Sequence, residues 1–375
     1  MNLPFRLPRL MRRTLASRLA RPEPLSPDAR HRRACIYKVD RLGDFVLALG
    51  ALHQLVAHIG ADQCRLVVSD VVAPLATREF PSVPLWEIPS STSGAWRELR
   101  PLRKLTAHGW AKESFDELIC LRHARSLHRD ATLGWIHARK WRGLNARPNS
   151  GNLSLQNRPE IPSEYPTAAN KPWSRELVAN RLVLEQVLGR PVPWEAIRPR
   201  FSRFEPKAGR TVVFCPFGYE RIRDYPESAW IQAWRSVSRK VAEIHLIGSR
   251  EQESLLASLA HRLGTEACLR RIEIISRLSP PDFVRYLSEA RAIATVDSAA
   301  AHIATALDKP ATIVVGGGHF GRFSPWGDGI RQNWGSHKLD CFDCDWTCRH
   351  PSVRCLVDLH PAAVAIGLTK MLDHD

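Results

Sequence analysis

Two kinds of apolar pattern alternate along the chain. Short apolar runs at 34–39, 65–69, 85–88, 117–121, 211–215, 244–247, 271–275, 292–296 and 311–315 read as strands. Between them lie longer stretches with helical spacing at 45–59, 71–78, 96–108, 123–138, 175–188, 227–240, 252–263, 280–290 and 299–307, and a last one at 361–372. Such alternation predicts doubly wound α/β structure with parallel sheets. The pattern breaks twice. Residues 145–170 are polar and rich in Asn, Ser and Pro, which reads as a long loop. Pro191, Pro193, Pro199 and Pro206 mark a linker at 191–209. The predicted division is a tail at 1–33, one domain at 34–190 and a second at 210–375.

Two strand-to-helix turns stand out. The first holds Gly43 and Asp44, where a carboxylate serves as a helix cap or as a base in a cleft. The second is Asp297-Ser298, which opens the alanine-rich helix at 299–307 and is followed by a strand and the triplet Gly316, Gly317 and Gly318. Helix N-termini at the carboxyl edge of a parallel sheet favour phosphate. The plainer reading of 295–327 is an ordinary βαβ unit with a close-packed turn.

Composition narrows the partners. The net charge of +16 over 375 residues implies an anionic partner: nucleic acid, an acidic membrane leaflet or a phosphorylated substrate. No helix-turn-helix, RRM-like or clean zinc-finger signature accompanies the charge, so no specific nucleic acid is expected. Residues 1–33 carry nine Arg, interleaved with Phe5, Leu7, Leu10, Leu15 and Leu19. That pattern suits a basic amphipathic helix on a membrane surface, or a disordered basic tail. No run of 18 apolar residues and no signal-like apolar core occur, so neither a membrane-spanning helix nor secretion is expected. Nine cysteines, five of them scattered in or near apolar runs, fit a reducing cytoplasm. Cys341, Cys344, Cys348 and Cys355 cluster, and are a candidate structural zinc site or a set of reduced or disulfide-bonded thiols.

Five segments together resemble glycosyltransferase family 9, the bacterial lipopolysaccharide heptosyltransferases. They are KVDRLGDFVLAL at 38–49, FDELICLRHARS at 115–126, RIRDYPESAW at 221–230, DSAAAH at 297–302 and PWG at 325–327. The resemblance runs from about Ala34 to the C-terminal helix, in the family's order. It departs from the family at Cys120, where an Asp is usual, and at Ala299, where a Gly is usual.

The resemblance implies a GT-B fold, two Rossmann-like domains with the acceptor side first and the donor side second. It implies inverting transfer without a catalytic metal, from a nucleotide-diphosphate sugar, ADP-heptose first, to an anionic lipid-linked saccharide at the cytoplasmic face of the inner membrane. Asp44 matches the base, and a helix N-terminus would keep it ionised. Arg223 matches a phosphate-binding Lys, and Glu251 a ribose-binding acid, with Glu253 close by. Asp297, Ser298, Ala299 and His302 match the donor motif; His302 is otherwise a satisfied core histidine. Gly316–Gly318 would close beneath the diphosphate. The alternatives are another nucleotide sugar, a hexose or GlcNAc, or a basic nucleic-acid-binding protein.

Overall fold

The structure is a computed structural model describing residues 33–90, 113–123, 132–133, 136–144, 173–327 and 329–374. The basic tail up to residue 32, the predicted helix at 96–108 and the loop at 145–170 lie outside the described residues.

The described chain falls into two compact units. In the first, β1 (Ala34–Lys38) leads to α1 (Leu42–Ile59), then β2 (Cys64–Ser69), α2 (Ala73–Glu79), β3 (Leu85–Ile88), β4 (Ser114–Cys120) and β5 (His137–Arg142). The strands form one parallel sheet in the order β3-β2-β1-β4-β5. β1 is buried at every position, as a strand covered on both faces must be. α3 (Arg175–Leu188) and the short α4 (Trp194–Ile197) follow.

The second unit carries β6 (Val212–Cys215), α5 (Glu227–Val237), β7 (Ile244–Ile247), α6 (Glu253–Glu266), β8 (Ile272–Ile275), α7 (Pro280–Ser288), β9 (Ala292–Val296), α8 (Ala299–Ala306), β10 (Ala311–Val314), β11 (Gln332–Gly335), α9 (Arg354–Val357) and α10 (Pro361–Leu372). Its sheet is again all parallel, in the order β11-β10-β9-β6-β7-β8. Strand order reverses beside β6, so its ligand-binding crevice lies beyond the carboxyl ends of β6 and β9. Leu42–Leu49 and the described residues 173–178 belong to this second unit, with the described residues from Arg198 onward.

Three differences from the sequence reading have physical causes. The predicted helix at 123–138 runs into β5, an edge strand whose HARKWR sequence is too basic to show strand periodicity. β11, QNWG, is likewise an edge strand with little apolar content. Third, α1 is long and apolar enough to cross a membrane by length and composition, which corrects the expectation that no segment is. Half of it is buried inside the described fold, with Phe45, Leu49 and Leu52 in the core, as in the core helix of a globular protein.

Two aromatic residues of the 221–230 motif, Tyr225 and Trp230, are core. Trp230 packs edge-on against Phe214 at 4.8 Å and against Tyr225 at 5.2 Å, and the Tyr225 hydroxyl donates to the Leu359 carbonyl at 2.7 Å. These apolar anchors fix the far end of the loop between β6 and α5.

Candidate functional site

The loop from 216 to 226 leaves β6 at the point where strand order reverses. Gly218 holds it by both backbone groups. Its N–H donates to Asp224 Oδ1 at 2.7 Å, and its carbonyl accepts from Gln252 Nε2 at 2.9 Å. Burial raises the Asp224 carboxyl to about 6. A 3-10 turn at Arg221–Arg223 then presents Arg223. Its Nη2 donates to Glu220 Oε2 at 3.1 Å and to His319 Nδ1 at 3.4 Å, and its guanidinium sits 5.6 Å from the centre of the Trp346 ring. Arg223 Nε is buried with no hydrogen-bond partner in the described structure. A half-buried cation with an unused donor is suited to an anionic ligand.

β9 delivers the second half of the site. Asp297 is buried and accepts from the Ser324 hydroxyl at 2.6 Å. Ser298 caps α8, its Oγ accepting from the Ala300 N–H at 3.2 Å. One turn on, His302 is buried and accepts at Nδ1 from Trp326 Nε1 at 3.0 Å. Trp326 follows Pro325, so the PWG segment is a clamp on the histidine. Gly327 takes φ 93°, a left-handed conformation that favours glycine.

The Trp326 bond fixes the His302 tautomer with the proton on Nε2. Burial, and the Arg223 charge more weakly, lower His302 to about 4 against the opposing pull of Asp297. His302 is therefore a neutral donor near pH 7. That ring edge faces the first turn of α1. A Cβ added to Gly43 would stand 2.9 Å from His302 Cδ2, 3.7 Å from Nε2 and 3.5 Å from Ala299 Cα. The neighbour of Gly43 is Asp44, half-exposed in the first turn. Gly43, Ala299 and His302, read from two distant motifs, thus meet within the second unit, with Asp44 next along the chain.

His302 also gives the site a pH signature. Its folded value of about 4 lies below the ordinary 6.5, so its contribution to stability is complete above pH 6.5 and is lost as pH falls to 4. The loss is about 3 kcal/mol. His319, also lowered to about 4 by burial, acts in the same direction, and Asp224 in the opposite one. The isolating measurement is the stability difference between wild type and His302→Gln in urea. It is expected to shrink steadily from pH 6.5 to pH 4; a constant difference contradicts the buried neutral histidine.

Glu251 and Glu253 separate cleanly. Glu253 is committed to Arg277 Nε at 2.8 Å and Ser276 Oγ at 2.6 Å, which holds its carboxyl down at about 2. Glu251 stands exposed on the preceding 3-10 turn, its carboxyl lowered by hydrogen bonding to Ser249. Of the two acids, Glu251 is the one open to a ligand.

The glycine triplet has a different neighbour from the one its sequence suggests. A Cβ at Gly316, Gly317 or Gly318 would lie 2.6, 2.5 or 2.2 Å from ring atoms of Trp346, Phe342 and Trp346 in turn. The triplet is small so that the cysteine-rich loop can lie on it. Gly317 N–H donates to Cys355 Sγ at 3.2 Å. Cys341, Cys344, Cys348 and Cys355 line one small cavity of about 10 Å³ with His350. Among the described residues, the one group of three His, Cys, Asp or Glu ligand atoms within 4.8 Å is Glu243, His245 and Glu273. The thiols are thus spread wider than a closed tetrahedral zinc site. Arg271 already pairs with Glu243 at 3.0 Å, so one carboxylate of this group has a cationic partner within the protein.

His319 and Arg322 were missed by sequence reasoning. His319 Nε2 contacts Asp345 Oδ1 at 2.8 Å, and Arg322 Nη1 lies 3.6 Å from the same oxygen. They sit in the apparently featureless segment between the glycine triplet and PWG, where no pattern marks them.

Comparison with known proteins fits this geometry. The sequence model of glycosyltransferase family 9 (heptosyltransferase) matches residues 165–350. No curated protein matches at a significant level. The solved structure of Escherichia coli heptosyltransferase WaaC with ADP-2-deoxy-2-fluoro heptose is 18% identical, covers 90% of this chain and 99% of its own, and superimposes with a TM-score of 0.60. E. coli ADP-heptose LPS heptosyltransferase II is 17% identical, with 91% and 98% covered and a TM-score of 0.63. TibC, an iron-containing dodecameric glycosyltransferase of enterotoxigenic E. coli, is 12% identical, with 91% and 76% covered and a TM-score of 0.53. These likenesses show the fold. With two all-parallel sheets and the family's sequence over residues 165–350, the chain belongs to glycosyltransferase family 9 and is a glycosyltransferase.

Proposed function

We propose that the chain transfers a sugar, heptose first, from an ADP-linked donor to an anionic lipid-linked saccharide, with inversion at the anomeric carbon. The observation that carries this is the apposition of Gly43 and His302, which sets Asp44 beside the donor motif. Asp44 takes the acceptor hydroxyl proton as that oxygen attacks the anomeric carbon. The bond to the diphosphate breaks on the opposite face, and ADP leaves. Developing phosphate charge is met by Arg223, by the Nε2–H of neutral His302 and by the N-terminus of α8. Glu251 is assigned to the ribose. The nucleotides in the WaaC structures support an ADP-linked sugar as the first donor to try.

The cysteine cluster has no step in this chemistry. A metal there would be structural, held by Cys341, Cys344, Cys348 and Cys355 around their shared cavity. The soft donor set suits zinc or iron, and binding would have to draw the thiols together. The basic residues 1–33 are assigned to the anionic leaflet that holds the acceptor, which places the protein at the cytoplasmic face of the inner membrane.

The test is ADP release from ADP-heptose that depends on a lipopolysaccharide-core acceptor, run beside UDP-linked GlcNAc and hexose donors. Absence of both nucleotide-sugar turnover and ADP-induced thermal stabilisation sinks the reading. Arg223→Ala is expected to weaken ADP binding about tenfold to a hundredfold by calorimetry, the loss of a charged hydrogen bond. Arg223→Lys should recover only part, because a point charge cannot reproduce the planar fork. Unchanged ADP affinity in Arg223→Ala would contradict the phosphate role.

A further inference from the structure

The residues between the cysteines hold the cations of the site. Asp343 pairs with Arg175. Asp345 accepts from His319 and faces Arg322. Trp346 donates from Nε1 to His319 Nδ1 at 3.2 Å and carries Arg223 over its ring. All three residues lie between Cys341 and Cys348, and all three have left-handed backbone, with φ of 66°, 52° and 59°. Left-handed conformations at three non-glycine positions persist only where surrounding contacts over-determine them. Those contacts are visible. Asp343 N–H donates to the Gly317 carbonyl at 2.7 Å, and Asp345 N–H to the Gly318 carbonyl at 2.9 Å. The Trp346 ring occupies the space left open by Gly316 and Gly318. The same Trp346 lines the thiol cavity.

We propose that the Cys341–Cys348 loop is a positioning device for the donor cations, so that the state of the thiols sets the affinity for a nucleoside diphosphate. This rests on the reading of the site as a nucleoside-diphosphate site. The loop fixes the His319 tautomer from both sides, Trp346 N–H on Nδ1 and Asp345 on Nε2–H. It thereby holds Arg322 and Arg223 at defined places instead of leaving two long side chains to be ordered by the ligand. Trp346 is the shared wall, so whatever fills or distorts the thiol cavity acts on Arg223 and His319 directly.

The sign of one substitution separates positioning from simple charge. Asp345→Asn keeps the shape and the hydrogen-bond acceptor, and Asn tolerates left-handed backbone as well as Asp does. It removes a negative charge from a phosphate-binding region, so a pure field effect would tighten ADP binding. Positioning predicts the opposite: ADP affinity about tenfold weaker by calorimetry, with donor KM raised by a similar factor and kcat changed less than twofold. Equal or tighter ADP binding by a folded Asp345→Asn protein overturns the proposal. A wild-type protein that fails to bind ADP overturns the site reading as well, so the two failures are distinguishable. A second measurement needs no variant. Coupling is reciprocal, so saturating ADP should slow carboxamidomethylation of Cys344 and Cys348 by iodoacetamide at least threefold, read by mass spectrometry. Identical modification rates with and without ADP also overturn it.

Discussion

Asp44→Asn is expected to lower turnover by a hundredfold to ten-thousandfold while ADP affinity stays within about twofold. The range is what a positioned general base contributes. The amide has the shape of the carboxylate but cannot accept the proton of an attacking hydroxyl. Two features of the structure make the split between rate and affinity sharp. Asp44 lies in the first turn of α1, and the cations assigned to the diphosphate lie on the β6–α5 loop and beyond β10. Its neighbour Gly43 faces His302 at a distance that leaves no room for a side chain, and Asp44→Asn leaves that close approach unchanged. The competing account is that Asp44 only complements the helix dipole. That account predicts a stability loss of about 0.3–1 kcal/mol with near-normal turnover. Initial rates at saturating donor, together with ADP calorimetry on the same preparation, decide between them.

The parts of the fold legible in the sequence were those with a one-dimensional signature. Strands buried on both faces announce themselves as continuous apolar runs, and β7 and β9 fall where that pattern put them. Of the four edge strands, β3 and β8 kept apolar runs and were read, whereas β5 and β11 are polar and were missed. The site divides in the same way. Asp297, Ser298 and His302 follow one strand within a turn of helix, so their proximity was readable. Arg322 and His319 are made relevant by Asp345 and Trp346, which are far along the chain and joined to them only by the fold. The glycine triplet shows the converse error. Its sequence suggests a phosphate loop, yet the missing side chains make room for Phe342 and Trp346. A glycine run records that something approaches closely; what approaches is a fact of tertiary packing.

The motif that holds Asp44 also holds Asp40, and the two aspartates are expected to fail in opposite ways. Asp40 is buried, with its Oδ2 3.0 Å from Lys38 Nζ and its Oδ1 3.1 Å from Arg122 Nε. Lys38 is fully buried and also donates to the Leu121 carbonyl at 3.0 Å, and the Asp40 carbonyl accepts from Ser69 Oγ at 2.7 Å. The network ties the ends of β1, β2 and β4 together at the carboxyl edge of the first sheet. Asp40→Asn leaves Lys38 and Arg122 buried without a full counter-charge. Breaking a buried pair from one side costs about 3–5 kcal/mol, which is a large fraction of the stability of an ordinary domain. The urea midpoint of the first unit should fall accordingly. Activity should fall with it at 37 °C and return in the cold, where enough folded protein survives. Asp44→Asn should show the reverse, an undisturbed midpoint and no recovery on cooling. Replacing Lys38 and Arg122 by Met together with Asp40→Leu should restore much of the stability, since apolar groups of similar volume remove the uncompensated charges. A full midpoint in Asp40→Asn would mean that Arg122 and Lys38 are satisfied by their carbonyl partners alone, and would move Asp40 out of the architecture and into the chemistry.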